Sequence, residues 1–238
     1  MTDELLLPKN RVEIIGLCGQ KGVGKSTLAA YFTKYSDYAV LSFATPLKVG
    51  ISNMFNLAWN DLIDHIKKEQ LIPGQKFTIR KAMQVIGTEC GRHLDEDIWI
   101  RLMHQAILNR IKYVDEHLSV SSEGLLDNEP IKIVIDDVRF RNEADYIVLN
   151  GGQLIYLEPS FEHVNASKEE SKGKTKENKH SSEDFSWIRN FDHSRAIFET
   201  VDRFRSVEHY RQQISNYACL HLLAKEKQKM VNLYYSKQ

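Results

Sequence analysis

The sequence predicts an α/β fold in which helices flank a parallel β-sheet. Short apolar runs typical of strands alternate along the chain with longer amphipathic segments typical of helices. A glycine-rich turn follows the first of these runs, as at a strand-to-helix junction. Hydrophobic residues make up 42% of the 238 residues, which is enough for a substantial core in one medium-sized domain.

The elements of the first half follow from their hydrophobic patterns. The run VEIIGLC predicts a strand over 12–18, and the residues after the glycine-rich turn predict a helix over 25–35. A second strand is predicted over 39–43, and Pro46 favours a helix that begins there, because proline is tolerated in the first helical turn. In a further helix, predicted over 98–111, one face carries the apolar residues Trp99, Leu102, Met103, Ala106 and Ile107.

The second half contains two more predicted strands, 131–135 and 153–157, with a helix over 141–149 between them. Residues 162–184 contain almost no large apolar side chain. They cannot pack a core, so they predict a mobile loop or lid. The tail over 206–235 carries apolar residues at helical spacing and predicts a packed helix.

Charge and composition exclude several classes of protein. Lys and Arg together number 32, as do Asp and Glu, so no overall field attracts nucleic acid or a membrane. The sequence has no apolar stretch near the roughly 18 residues of a membrane span, and its first residues do not resemble a signal peptide. The three cysteines, Cys18, Cys90 and Cys219, lack metal-ligand spacing and are typical of a reducing compartment. We therefore expect a cytoplasmic protein with neither a nucleic-acid nor a membrane partner.

The segment GQKGVGKS matches the phosphate-loop pattern G-x-x-x-x-G-K-[ST] in full. Its glycines let the backbone curl so that N–H groups point at phosphate oxygens, and the following helix adds its positive N-terminus. Lys25 is suited to the β- and γ-phosphates, the Ser26 hydroxyl to Mg²⁺, and Thr27 to the α-phosphate. The predicted binding residues are Gly19, Gln20, Lys21, Gly22, Val23, Gly24, Lys25, Ser26 and Thr27. The pattern specifies a nucleoside triphosphate and leaves kinase, GTPase, motor ATPase and synthetase open.

Other residues narrow this choice. The base-reading motif N-K-x-D of switch GTPases is absent from the sequence, since NKHS at 178–181 lacks the aspartate. Asp136 and Asp137, at the end of a predicted strand, resemble the acidic pair of motor ATPases. However, Arg139 and Arg141 follow directly, and arginines suit a phosphate acceptor better than a water molecule.

Three further stretches resemble motifs of the bacteriophage-type deoxynucleoside monophosphate kinases, within the P-loop nucleoside monophosphate kinase group. They are SFATPLK (42–48), RKAMQVIGTECGR (80–92) with DIWI (97–100), and DVRFRNEAD (137–145) with GGQLIYL (151–157). HSSE (180–183) resembles a fourth element of this family. Their order and spacing over 12–193 carry the resemblance.

The resemblance implies a three-layer P-loop NTPase fold, with a parallel sheet flanked by helices, a helical substrate-binding insertion and a lid. We expect one kinase domain over 1–238. Its expected parts are an ATP-binding core (12–45), a helical acceptor-binding region (46–115), core strands (131–157), a mobile lid (160–184) and C-terminal helices (194–238). A homodimer is a family-level expectation, with which the helical pattern of the tail is compatible.

The resemblance also implies transfer of the ATP γ-phosphate to a deoxynucleoside 5′-monophosphate (dNMP), for DNA precursor supply in the host cytoplasm if the chain is phage-encoded. Such transfer depends on aligning two anions and neutralising their repulsion. The catalytic candidates are Lys25, Asp137 and Arg139, with Mg²⁺ held by Ser26 and, through water, by Asp137; Asp136 is the alternative carboxylate. The acceptor-binding candidates are Leu47, Lys48, Arg80, Gln84, Gly87, Thr88, Glu89, Arg92 and Trp99.

Several simpler interpretations stay open. Arg80 and Arg92 are also compatible with surface ion pairs, and Trp99 with core packing. The predicted lid carries five lysines but no arginine over 166–180, unlike the arginine-rich lids of related kinases, so Arg141 or Arg195 could supply the lid cation. The functional alternatives are another small-molecule kinase, for a nucleoside or dephospho-coenzyme A, and a non-catalytic nucleotide sensor.

Overall fold

A computed structural model describes residues 3–117, 130–159, 184–191 and 196–201 of the chain. The chain forms two compact units, each assembled from separate stretches of sequence. Unit 1 comprises Met1–Val12 and Leu41–Ile131, and unit 2 comprises Glu13–Val40 and Lys132–Gln238. The part of the chain that the structure describes has no helix long and apolar enough to cross a membrane.

A five-stranded sheet has the strand order β2-β3-β1-β4-β5. Strand β1 pairs in parallel with β4, which pairs in parallel with β5. Parallel neighbours need crossover connections, and helices lie between β1 and β4 along the chain, as the alternating sequence pattern predicts. The strands are β1 (Val12–Gly19), β2 (Ala39–Leu41), β3 (Ile131–Val138), β4 (Gln153–Pro159) and β5 (Ala196–Val201). The predicted α/β fold with a parallel sheet flanked by helices is confirmed.

In unit 2, the helices α1 (Lys25–Ser36) and α7 (Arg141–Leu149) pack against strands of the sheet. Strand β1 is buried from Ile14 to Gly19, as expected of a strand covered on both faces. A short 3₁₀-helix spans Ser186–Asn190. The core consists of Ile15, Leu17, Val23, Leu28, Ala29, Phe32, Tyr38, Val134, Ile155 and Leu157.

Unit 1 is helical, with α2 to α6 at Thr45–Phe55, Trp59–Ile63, Ile79–Gln84, Arg92–Leu94 and Ile98–His117. Two 3₁₀-helices span Asp3–Leu5 and Lys67–Glu69, and a π-helix spans Val85–Gly91. The core cluster consists of Leu47, Ile51, Leu62, Ile72, Ile79 and Ala82. Leu47 and Ile51 of α2, and Ile79 and Ala82 of α4, recur at helical spacing, so these two helices bury one stripe each. Ile72 joins the cluster from outside the helices.

The structure corrects the predicted face of α6. Met103 and Ile107 are buried as predicted, but Leu102 is 42% exposed and Ala106 is also exposed. The buried stripe is Ile100, Met103, His104, Ile107 and Ile111. The buried residues follow the same 3–4 spacing but start one residue later than predicted. Periodicity alone does not show which of two adjacent apolar stripes on a helix is buried.

Other predicted boundaries are partly corrected. The helix over 141–149 is confirmed, but strand β2 ends at Leu41 rather than at 43, because α2 already begins at Thr45. The prediction of helices throughout 194–238 is wrong at Ala196–Val201, which is strand β5. The predicted lid up to residue 183 and the predicted tail helix lie outside the described residues.

Candidate active site

The phosphate loop joins β1 to α1 with the backbone curl that its glycines predict. Gly19, Gly22 and Gly24 have φ angles of 137°, 78° and 108°, a region in which side chains other than glycine are strained. At Gly19 there is a second reason for glycine, since an added Cβ would overlap the carbonyl oxygen of Leu157. Gly24 is the N-cap of α1, so the loop leads directly into the positive end of that helix.

One side chain anchors the loop to the core of unit 2. Val23 is 2% exposed and packs in the core cluster, and its N–H donates to the Gln20 carbonyl at 3.3 Å. Gln20, Lys21, Gly22 and Ser26 are exposed. The Val23 side chain therefore fixes the loop, and a phosphate contact by its backbone stays a prediction.

Lys25 is held by its own loop. Its Nζ donates to the carbonyl oxygens of Gly19 at 2.6 Å and Gln20 at 2.8 Å. Burial, followed by the positive charge of Arg139, lowers the Lys25 pKa to about 8, against the opposing effects of Cys18, Asp137 and Asp136. Burial also raises the pKa of the Cys18 thiol to about 12. A triphosphate would offer Lys25 anionic oxygens in place of these neutral carbonyls.

The acidic end of β3 lies within electrostatic reach of Lys25. Asp136 and Asp137 lie near the C-terminal end of β3, and both are half-buried. Asp137 raises the Lys25 pKa more strongly than Asp136 does. The described residues include no group of three or more His, Cys, Asp or Glu side chains suited to a metal. One hydroxyl and one carboxylate are nevertheless hard oxygen ligands, which suit a Mg²⁺ ion held mainly by phosphate and water.

Arg139 completes this group of charges. Its side chain is exposed, whereas its backbone is fixed by two contacts. The Arg139 N–H donates to Oε2 of Glu143 at 2.8 Å, and the Arg139 carbonyl accepts from Nε1 of Trp187 at 3.2 Å. Glu143 also accepts from the Phe140 N–H at 3.1 Å, so it shapes the start of α7. Sequence reasoning missed Trp187, which shows no motif of its own.

The predicted acceptor-binding residues 80–92 form a continuous helical run with an unusual middle. Within it the π-helix Val85–Gly91 contains Gly87, Thr88 and Glu89. π-Helical segments are rare and occur frequently at functional sites. The sequence did not predict this segment, and its position supports the choice of these residues as candidates.

The glycines of the π-helix allow close packing. A Cβ on Gly87 would lie 2.6 Å from Cδ2 of Leu47, and one on Gly91 would lie 2.8 Å from Cζ2 of Trp99. Nε1 of Trp99 donates to the Gly87 carbonyl at 2.7 Å. Leu47 and Trp99 thus make packing contacts around the π-helix, and a substrate contact by either residue stays a prediction.

The charged acceptor candidates are held by neighbours in unit 1. Arg80 forms an ion pair from Nε to Glu69, while its Nη2 is buried and has no hydrogen-bond partner among the described residues. Nη1 of Arg92 donates to the Glu96 carbonyl at 3.1 Å, and Glu89 lies 3.4 Å from Nζ of Lys81. The side chains of Lys48, Gln84 and Thr88 are half-buried.

Arg141, a candidate lid cation, forms an ion pair with Asp145 at 3.6 Å.

A family model and a curated relative both match this chain, and both are described as deoxynucleotide monophosphate kinases. A family model described as deoxynucleotide monophosphate kinase matches residues 53–184. A protein of Acanthamoeba polyphaga mimivirus whose name assigns it to the deoxynucleotide monophosphate kinases is 34% identical over 149 residues, covering 61% of this chain and 73% of the relative.

Two solved structures are similar at lower identity. Dephospho-CoA kinase from Campylobacter jejuni is 14% identical, with a TM-score of 0.44, and the match covers 91% of this chain and all of that one (100%). A gluconokinase from Sinorhizobium meliloti 1021 is 16% identical, with a TM-score of 0.37, over 97% of this chain and 100% of that one.

Proposed function

Because the chain belongs to the deoxynucleotide monophosphate kinase family, we propose that it transfers the γ-phosphate of ATP to a deoxynucleoside 5′-monophosphate. The products are ADP and the deoxynucleoside diphosphate. The family makes the chain a phosphotransferase with a P-loop and a nucleotide substrate. The identity of the acceptor is the part that we propose.

The observation that carries the proposal is the group of charges around the phosphate loop in unit 2. Lys25 and Arg139 supply two positive charges, and Asp137 and Asp136 supply two carboxylates, all within electrostatic reach of Lys25. Phosphoryl transfer spreads negative charge over the transferring group, and fixed cations beside the loop stabilise it. We propose that Lys25 and Arg139 act on the transferring phosphate and that Asp137 is the functional carboxylate.

A family of this kind uses ATP with Mg²⁺, which would neutralise part of the polyphosphate charge when bound. Ser26, at the second position of α1, is exposed and has the hydroxyl that the loop pattern assigns to the ion. Asp137 would contact the ion through water. In this proposal, backbone N–H groups from Gly19 to Thr27 form the rest of the phosphate cradle, together with the side chains of Lys25 and Thr27.

We propose that the acceptor monophosphate binds to unit 1. Arg80 supports this role, because its buried Nη2 is a donor that lacks a partner among the described residues and its Nε is oriented by Glu69. A buried unsatisfied donor costs free energy, and a phosphate oxygen would satisfy it. Lys48 and Arg92 are further cations, and Gln84, Thr88 and Glu89 have polar groups suited to a base or sugar.

The remaining expectations are part of the proposal. They are a single kinase domain with residues 160–184 as its lid, a homodimer, a cytoplasmic location, and a role in phage DNA precursor supply. None of them is needed for the chemistry at the phosphate loop. The dimer is tested by the mass of the protein in solution.

The proposal is tested with a coupled assay of ADP formation across dAMP, dCMP, dGMP and dTMP, with the diphosphate product identified by chromatography. Ribonucleoside monophosphates, nucleosides, gluconate and dephospho-coenzyme A serve as competing acceptors, and Lys25→Ala as the inactive control. We expect turnover with at least one dNMP. Turnover with another acceptor alone would contradict the proposal. Nucleotide binding without any product would indicate a sensor.

A further inference from the structure

The peptide units around Arg139 are fixed by hydrogen bonds to two side chains. The N–H of Arg139 and the N–H of Phe140 both donate to Oε2 of Glu143, at 2.8 and 3.1 Å. The carbonyl oxygen of Arg139 accepts from the indole N–H of Trp187 at 3.2 Å. Three hydrogen bonds therefore hold the backbone from which the exposed Arg139 side chain departs.

Glu143 is a buried carboxylate whose burial requires an explanation. It is 3% exposed, and burial of a carboxylate costs free energy unless hydrogen bonds compensate it. The two backbone N–H groups and the N-terminal turn of α7, in which Glu143 is the third residue, supply this compensation. Its charge also contributes to the raised pKa of Cys18, in β1 directly before the phosphate loop.

Trp187 is placed by its own packing. Its ring meets Phe191 edge-to-face at 5.7 Å between centroids, and Phe185, beside the same 3₁₀-helix, packs on Tyr156 of β4 at 6.2 Å. The indole N–H therefore comes from a packed element rather than from a free side chain. Unit 2 thus holds Arg139 from α7 on one side and from the 3₁₀-helix on the other.

We propose that Glu143 and Trp187 are positioning residues, which fix the direction in which the Arg139 side chain leaves the backbone. The inference rests on the proposed function, in which Arg139 acts on the transferring phosphate. The positive charge of Arg139 already reaches Lys25. A long, flexible side chain reaches one place reproducibly only if its backbone is fixed, and small misplacements of a reacting geometry cost large factors in rate. Glu143 and Trp187 do not themselves touch substrate.

The sharpest single variant is Trp187→Phe, which keeps an aromatic ring against Phe191 and removes the N–H. We expect kcat to fall about three- to tenfold, the effect of one lost hydrogen bond. The KM for ATP should stay unchanged, because the phosphate loop is intact. Trp59→Phe is the matched control: Trp59 is 45% exposed in unit 1, and its variant should keep the wild-type kcat.

Glu143 is tested by comparing Glu143→Gln with Glu143→Ala. Glutamine retains an acceptor oxygen, so it should keep kcat within about threefold of wild type, while alanine should lose a further tenfold or so. Glu116→Gln, at an exposed carboxylate on α6, is the matched control. Equal loss in the two Glu143 variants would overturn the role of the acceptor oxygen. If Glu143→Ala fails to fold by thermal melting, Trp187→Phe, alone and in the Arg139→Ala background, decides.

A double-mutant cycle with Arg139→Ala separates positioning from general stability. If Glu143 and Trp187 act through Arg139, Trp187→Phe and Glu143→Ala should lower kcat no further in the Arg139→Ala background. The same fold loss in both backgrounds would overturn the inference, as would a rise in the ATP KM at constant kcat. Both results leave the proposed function standing. By contrast, a wild-type chain that transfers phosphate to no nucleotide overturns the proposed function and this inference together.

Discussion

The ammonium group of Lys25 donates a hydrogen bond to the carbonyl oxygen of Gly19 at 2.6 Å, within the same loop. The lysine thus closes the loop on itself and brings its charge to the place where phosphate oxygens are expected. That charge is costly in this position, as the lowered pKa of Lys25 shows.

The first prediction concerns pH. The Lys25 pKa falls from its ordinary 10.5 to about 8, so the folded protein loses this charge as the pH rises through about 8. Because a triphosphate binds the charged lysine better, we expect kcat/KM for ATP to decrease about tenfold per pH unit well above that pH. Rates are measured from pH 6.5 to 9.5. Lys34→Gln, at an exposed lysine of α1, should give the same profile as wild type, and a flat wild-type profile would contradict the prediction.

The same shift has a consequence for stability. Between about pH 8 and 10.5 the unfolded chain binds more protons at this lysine than the folded chain, so the contribution of Lys25 to the free energy of unfolding rises with pH across that window. Lys25→Met should therefore melt at or above the wild-type temperature at pH 7. Its kcat should fall by about a hundredfold or more, since it removes a fixed charge at the transferring phosphate. A large drop in melting temperature would show that the lysine stabilises the fold.

Arg139 and its neighbour Arg141 form a natural comparison. We expect Arg139→Ala to lower turnover at least tenfold, or about 1.4 kcal/mol of activation free energy, with the melting temperature unchanged. Arg141 is exposed and forms an ion pair with Asp145 one helical turn away, a contact of small energetic value. Arg141→Ala should therefore stay close to wild type. Unchanged kinetics in Arg139→Ala would remove Arg139 from the site.

The π-helix is tested by two glycine variants. Gly87→Ala brings a methyl group to 2.6 Å from Cδ2 of Leu47, and this overpacking should lower the free energy of unfolding by about 1–3 kcal/mol and raise the acceptor KM. Gly50→Ala, in the helix α2, meets nothing within 4 Å and should raise stability by roughly 0.4–1 kcal/mol. Chemical denaturation measures both. A neutral Gly87→Ala would mean that Leu47 moves freely.

The phosphate loop and the start of α7 could be predicted from sequence because their signals are local. Glycine spacing specifies the loop, and the local hydrophobic pattern predicts the helix over 141–149; both hold in the structure. The second bond of Glu143, to the Arg139 N–H, was not predictable. It depends on how β3 turns into α7, and no sequence rule describes that turn.

The π-helix and strand β5 escaped prediction for a different reason, since each depends on distant residues. Helical periodicity does not distinguish an α-helix from a π-helix, and the wider turn is accompanied here by packing of Gly87 on Leu47 and of Gly91 on Trp99. Strand β5 forms through its pairing with β4, some forty residues earlier, and the expectation of C-terminal helices over 194–238 did not include this long-range contact.

The path of the chain through the sheet has a consequence for how such proteins diversify. The chain leaves the sheet at Leu41, the end of β2, and re-enters it at Ile131, the start of β3, and these two strands are neighbours. One continuous stretch of sequence lies between these two strands, and it includes all the acceptor candidates. A recombination event with one crossover on each side of this stretch would exchange the proposed specificity residues together and leave the phosphate loop unchanged. In the proposed function, the acceptor would then change while the use of ATP stayed the same.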